Sequence, residues 1–162
     1  MNDVKSEKLT NKIILEFSKT LEMFNLSPLE ARLFAYLYLS EKPLTLDEMS
    51  EALGKSKTSM STGIRTLFDY NLVTKVWRKG IRKDLYQANS QLFKSFMYWY
   101  INKWIDSANH QKDSLLEIDK EIKYEKDKEK RSENLINIER QLNIIIQFHN
   151  EVENLFRDIK QD

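Results

Sequence analysis

The chain has 162 residues, 41% of them hydrophobic and 31% charged, with a formal net charge of +1. That is enough apolar content for a packed core, in one domain or a small domain with an extension, and too much for a disordered chain. It has no cysteine, three glycines and two prolines, which excludes disulfides, thiolate catalysis and Cys-ligated zinc and points to a mainly α fold with little strand.

The first residues, MNDVKSEKLTNK, contain no apolar signal core. No stretch approaches roughly 18 uninterrupted apolar residues, so a soluble cytoplasmic protein without a membrane span is expected. Leu9, Ile13, Phe17, Leu21 and Phe24 recur at helical spacing and predict an amphipathic helix over about residues 5–24. Ser27-Pro28-Leu29-Glu30 then reads as a capping box with proline in the first turn, opening a second helix to about Ser40. After an extended Pro43-Leu44, Thr45-Leu46-Asp47-Glu48 opens a third helix by the same device, and Gly54 closes it in a left-handed conformation.

Ser56 caps a fourth helix with Met60, Ile64, Leu67 and Phe68 on one face, and Asn71 ends it. Residues 72–77 and 81–86 flank Gly80 and predict the two strands of a hairpin. From about Ser90 the pattern is helical again, and Phe93, Phe96, Met97, Tyr98, Trp99, Tyr100, Ile101, Trp104 and Ile105 are apolar almost all round, so enclosure on several sides is expected. Residues 124–131 alternate in charge and predict a solvated helix surface or a bend between two helices. Leu135, Ile138, Leu142, Ile145, His149, Val152, Phe156 and Ile159 then form a heptad seam, expected to pack both on the preceding helix and on a second copy of the chain.

Charge is not spread evenly over these elements. Residues 55–83 carry eight Lys and Arg side chains against one acid, Asp69, a local charge of 8 − 1 = +7. An anionic partner with the charge density of duplex DNA fits that imbalance. The order of helix, helix, helix, helix and hairpin fits a winged helix-turn-helix, whose second helix enters the major groove. On the fourth helix, Lys55, Ser56, Lys57, Thr58, Ser59, Ser61, Thr62 and Arg65 are the candidate DNA-binding residues, with Lys57 and Arg65 best suited to guanine or phosphate. On the hairpin they are Arg78, Lys79, Arg82 and Lys83, placed to lie along flanking phosphates or to enter the minor groove.

Residues 27–90 resemble a MarR-type winged helix, and the wing Val76-Trp77-Arg78-Lys79-Gly80-Ile81-Arg82-Lys83-Asp84-Leu85-Tyr86 is similar to the GbsR branch of that group. With the helical tail the resemblance covers essentially the whole chain, although some relatives run on beyond the heptad. It implies a dimeric repressor that binds a double-stranded operator, controls choline uptake or glycine betaine synthesis, and is released by choline. The expected organisation is a winged-helix head over residues 1–90, with helix 1–24 available to pack on the dimer region, and a helical dimerisation and sensing region over 91–162.

A quaternary ammonium is held by aromatic faces, and Phe96, Trp99, Tyr100 and Trp104, completed by Tyr36 from the second helix, are the candidate ligand-binding residues. Trp99 and Trp104 lie five residues apart and point in different directions, so any cage is built across elements. The same stripe also reads as ordinary core, and within regulators a different aromatic or lipophilic ligand is the alternative. An enzyme is not expected: His110 with Asp113, and His149 near Glu151 and Glu153, match no metal-ligand spacing, and no phosphate loop, nucleophile motif or cofactor site is visible. His149 reads instead as a polar residue setting helix register. The rival from another class is a winged-helix protein-interaction module without DNA.

Overall fold

The structure is a computed structural model that describes residues 2–128 and 132–161. Its elements are α1 (Asn2–Met23), α2 (Pro28–Ser40), α3 (Leu46–Leu53), α4 (Lys57–Asp69), β1 (Val73–Val76), β2 (Leu85–Ala88), α5 (Leu92–Lys128) and α6 (Glu133–Gln161). They form two compact units, Met1–Phe96 and Met97–Asp162. Residues 129–131 of the charged run lie outside the described residues; the part before them is helical.

The helix starts follow from side-chain chemistry. The Ser27 Oγ accepts from the Glu30 N–H at 3.2 Å while the Ser27 N–H donates to the Glu30 carboxylate at 3.0 Å, and Thr45 and Glu48 repeat the arrangement at 3.2 and 2.8 Å. Each box satisfies two donors that a bare helix terminus leaves open. Helix α3 ends on Gly54 at φ +62°, and Asn71 follows α4 at φ +58°.

In the first unit, α4 presents Met60, Gly63, Ile64 and Leu67 inward. A Cβ on Gly63 would stand 3.0 Å from Leu33 Cδ2, so the missing side chain sets how closely α4 approaches α2. Phe68, expected on this face, is 48% exposed, because the close approach at Gly63 centres the contact on residues 60, 63, 64 and 67. Helix α1 lies against α2, burying Ile14, Ser18 and Leu21. Leu9 and Ile13, expected in its stripe, are exposed, since the helix turns the neighbouring Ile14 inward instead.

The hairpin also departs from expectation. The first strand is shorter, and the second lies further along the chain: Val73 pairs with Ala88 and Val76 with Leu85, leaving residues 77–84 as the loop. Buried Val73 and Leu85 explain the register, because a shift would move both off the core face, whereas Arg82-Lys83-Asp84 has nothing to bury. Leu44 joins as a short third partner, exchanging backbone hydrogen bonds with Tyr86 at 2.8 and 2.9 Å.

In the second unit the heptad seam divides. Leu142 is buried and His149 and Phe156 are half-buried, yet Ile138, Ile145 and Ile159 of the same stripe are exposed, together with Phe148 and Leu155. The stripe is broader than one facing helix covers, and the line turned inward passes through Glu153 rather than Val152 alone. In the aromatic stretch of α5, Phe96, Trp99, Ile101 and Ile105 are buried, whereas Phe93, Tyr98 and Trp104 are exposed.

Glu153 joins α6 to α5. Its carboxylate accepts from Lys112 Nζ at 2.8 Å and from Arg157 Nε at 2.8 Å, and the Asn109 amide, turned nitrogen-first, donates to it as well. The Lys112 hydrogen bond, followed by that of Arg157, holds the Glu153 carboxyl below the usual glutamate range. A depressed folded-state pKa contributes stability that is complete above the unfolded-state value and is lost as pH falls through the folded one. Glu153→Gln should therefore lower Tm at pH 7, and the gap to the unmodified protein should close below the usual glutamate range; melting curves of both proteins from pH 7 to pH 3 check this.

Candidate nucleic-acid interface

The polar side of α4 faces water. Lys57, Thr58, Thr62 and Arg65 are exposed and Ser59 and Ser61 half-exposed, the complement of the face buried on α2. Ser56 is occupied in closing the helix start, where its Oγ accepts from the Ser59 N–H at 3.1 Å and donates to the Ser59 Oγ at 2.9 Å. The Thr62 hydroxyl donates to the Thr58 carbonyl at 3.1 Å, which leaves its oxygen free to accept. Thr58, Ser61 and Arg65 have no side-chain hydrogen bond or ion pair among the described residues.

The wing is tied to this helix by a residue that sequence reasoning passes over. Asp47, in the first turn of α3, accepts from Lys83 at 2.6 Å through one oxygen and meets Lys57 at 3.3 Å through the other. One carboxylate thus joins the base of the wing to the start of α4. The signal in the sequence is an acid beside a capping box, which ordinarily serves only the helix dipole. A cleft of about 290 Å³ lies between them, lined by Thr45, Asp47, Lys57, Arg82, Lys83 and Asp84. Lys75 on β1 pairs with Asp84 at the end of the loop at 3.0 Å.

These pairs redistribute the charge. Lys57, Lys75 and Lys83 have carboxylate partners, while Lys55, Arg65, Arg78, Lys79 and Arg82 have none within 4 Å among the described residues. The +7 counted along residues 55–83 omits Asp47 and Asp84, so the positive field centres on α4's outer face and the wing loop.

The aromatic candidates fall in both units. Phe96 belongs to the first unit, in edge contact with Phe24 at 5.6 Å and Phe34 at 5.1 Å, and half-buried Tyr36 lies in the same unit. In the second unit Tyr100 and Trp104 meet Phe156, which periodicity places only in the seam: Trp104 stacks on it at 5.3 Å and 6°, and Tyr100 meets both rings edge-on. Trp99 is buried and carries the Lys103 ammonium over its ring at 5.3 Å. His149 bonds through Nδ1 to the Ile145 carbonyl at 2.8 Å, and among the described residues no cluster of three or more His, Asp or Glu side chains is placed to hold a metal ion.

Comparison with known proteins fits this geometry. Over 116 residues the chain is 30% identical to the HTH-type transcriptional repressor OpcR of Bacillus subtilis, covering 72% of this chain and 63% of that protein. Over 98 residues it is 35% identical to the HTH-type transcriptional repressor GbsR of the same organism, covering 60% and 54%. The chain is similar to GbsR-type, MarR-like winged-helix regulators. The matched part is between about half and two thirds of those relatives' own length. No family profile matches. A crystal structure of a transcriptional regulator shares the fold, with a TM-score of 0.57 at 16% identity over 94% of this chain and 99% of that one. In this winged helix, the Asp47 bridge joins the start of α4 to the loop of the hairpin.

The Lys83 hydrogen bond, then that of Lys57, holds the Asp47 carboxyl below the usual aspartate range, and Asp47 in turn raises Lys83. The depressed Asp47 value means that the tie is complete at neutral pH and is lost only as pH falls through that value. In Asp47→Asn at pH 7, the heteronuclear NOEs of residues 81–84 should drop, and in the unmodified protein they should drop only at pH below the usual aspartate range. Equal NOEs in both proteins would mean that Asp47 does not order the wing.

Proposed function

We propose that this chain is a dimeric, sequence-specific DNA-binding transcriptional repressor, working in the cytoplasm and not an enzyme. The observation that carries the reading is the outer face of α4, with exposed Lys57, Thr58 and Arg65, joined through Asp47 to a wing with three cations that lack carboxylate partners among the described residues. Its relatives OpcR and GbsR are repressors by name. Helix α4 reads base edges in the major groove, while Arg78, Lys79 and Arg82 hold the flanking backbone. A second copy covers the apolar residues that α6 leaves exposed, Ile145, Phe148, Leu155 and Ile159, and so sets the spacing of two half-sites. Among the described residues no helix is long and apolar enough to cross a membrane.

Operator affinity should fall with salt at a slope of about −0.9 per phosphate neutralised. Arg65→Ala should relax discrimination between operator and altered sequences by about 1–3 kcal/mol, whereas Arg82→Ala should weaken binding to all sequences alike and reduce the salt slope by about 1. Fluorescence anisotropy on operator and scrambled duplexes over a salt series reads both. A flat salt response with retained binding to another protein would instead favour an interaction module.

The effector in this reading is choline, acting on genes for choline uptake or glycine betaine synthesis. Support comes from the GbsR-type wing, from the three rings Tyr100, Trp104 and Phe156, and from Trp99, whose ring already accepts a cation. Because Trp104 is stacked on Phe156, a quaternary ammonium has to part these rings or use their outer faces. That rearrangement is what would couple occupancy to operator release. Titrating choline should quench tryptophan fluorescence and release operator over the same concentration range; silence in both would remove choline as the effector.

A further inference from the structure

Beyond the last rung of the hairpin, the Arg78 carbonyl accepts from the Ile81 N–H at 3.2 Å, and Gly80 sits at φ +84°, the conformation required at the third position of such a turn. This turn places Trp77 and Ile81 on the wing tip, 81% and 45% exposed. With Arg78 and Arg82 they line one open hollow of about 560 Å³. A tryptophan held almost wholly in water gains no burial in the free protein, and its removal leaves the core untouched. Here it stands among Arg78, Lys79 and Arg82, three cations without carboxylate partners among the described residues. The surface that satisfies both features is an anionic wall with apolar faces behind it, as in a groove of duplex DNA.

We propose that Trp77, seconded by Ile81, is an apolar wedge that enters the minor groove beside the α4 contacts and partly unstacks a base step there. The proposal rests on the DNA-binding reading above and adds a site and a mode of recognition to it. Through Asp47, the base of the wing is tied to the first turn of α4, so the tip emerges beside the helix that occupies the major groove. A hairpin loop is narrow enough for the roughly 6 Å minor groove, which a helix is not. Apolar side chains driven between base steps kink the duplex toward the major groove by about 20–90° and favour steps that unstack easily. The wing would then contribute specificity at flanking positions without hydrogen-bonding any base.

The test uses the full-length protein, a duplex carrying 2-aminopurine at successive flanking positions, and end-labelled duplexes for energy transfer. The unmodified protein should raise 2-aminopurine emission at one flanking step and shorten the end-to-end distance. Trp77→Ala should abolish both signals and lower affinity about tenfold with an unchanged salt slope, while Trp77→Phe should retain them. Operator binding by the unmodified protein with no emission change, or a Trp77→Ala protein that bends and binds like its parent, would overturn the wedge and leave the DNA reading standing. Failure of the unmodified protein to bind any duplex would overturn both. Loss of binding to phosphatidylglycerol vesicles in Trp77→Ala, with DNA bending intact, would assign the tip to a lipid surface and overturn the wedge.

Discussion

The approach of α4 to α2 at Gly63 is the constraint that orients α4 within the first unit. With Leu33 Cδ2 only 3.0 Å from where a Cβ would stand, α4 sits with Met60, Gly63, Ile64 and Leu67 inward. A helix that buries one face so closely has no freedom to rotate. Lys57, Thr58, Ser61 and Arg65 are therefore carried on an outward surface whose orientation is set by a contact on the opposite side. Phe68 is left outside for the same reason.

Asp47 adds a second, weaker constraint of a different kind. It does not bury anything, and exposed ion pairs contribute little to stability. Its effect is geometric: two lysines from separate elements share its two oxygens, so the wing base and the start of α4 keep company. The hairpin itself is held by backbone bonds to Leu44 and by the inward Val73 and Leu85, and the loop beyond them is free to carry side chains that add nothing to the core. Trp77 and its neighbouring cations are such side chains.

The second unit answers a different problem. Helix α6 has more apolar surface than one facing helix covers, so it buries Leu142 and half-buries Phe156 while leaving Ile145, Phe148, Leu155 and Ile159 in water. On the covered side, Glu153 is satisfied by Lys112, Arg157 and Asn109, which makes that face specific in register as well as apolar. The aromatic rings Tyr100, Trp104 and Phe156 pack on one another at the same helix pair.

Local chemistry made much of this legible in advance. The capping boxes at Ser27 and Thr45, the left-handed Gly54 and Asn71 and the cap at Ser56 depend on residues within a few positions of each other, so the chain alone determined where α2, α3 and α4 begin and where α3 and α4 end. The basic outer face of α4 and the wing cations were visible for the same reason. What the tertiary structure decided was pairing across long separations. Hairpin register depended on which strand residues reach the core, the division of the α6 stripe on how much surface α5 offers, and the charge of the interface on Asp47, far from Lys83 in sequence. Periodicity names a face but not its neighbour, and a charge count along the chain cannot see an acid that arrives through space.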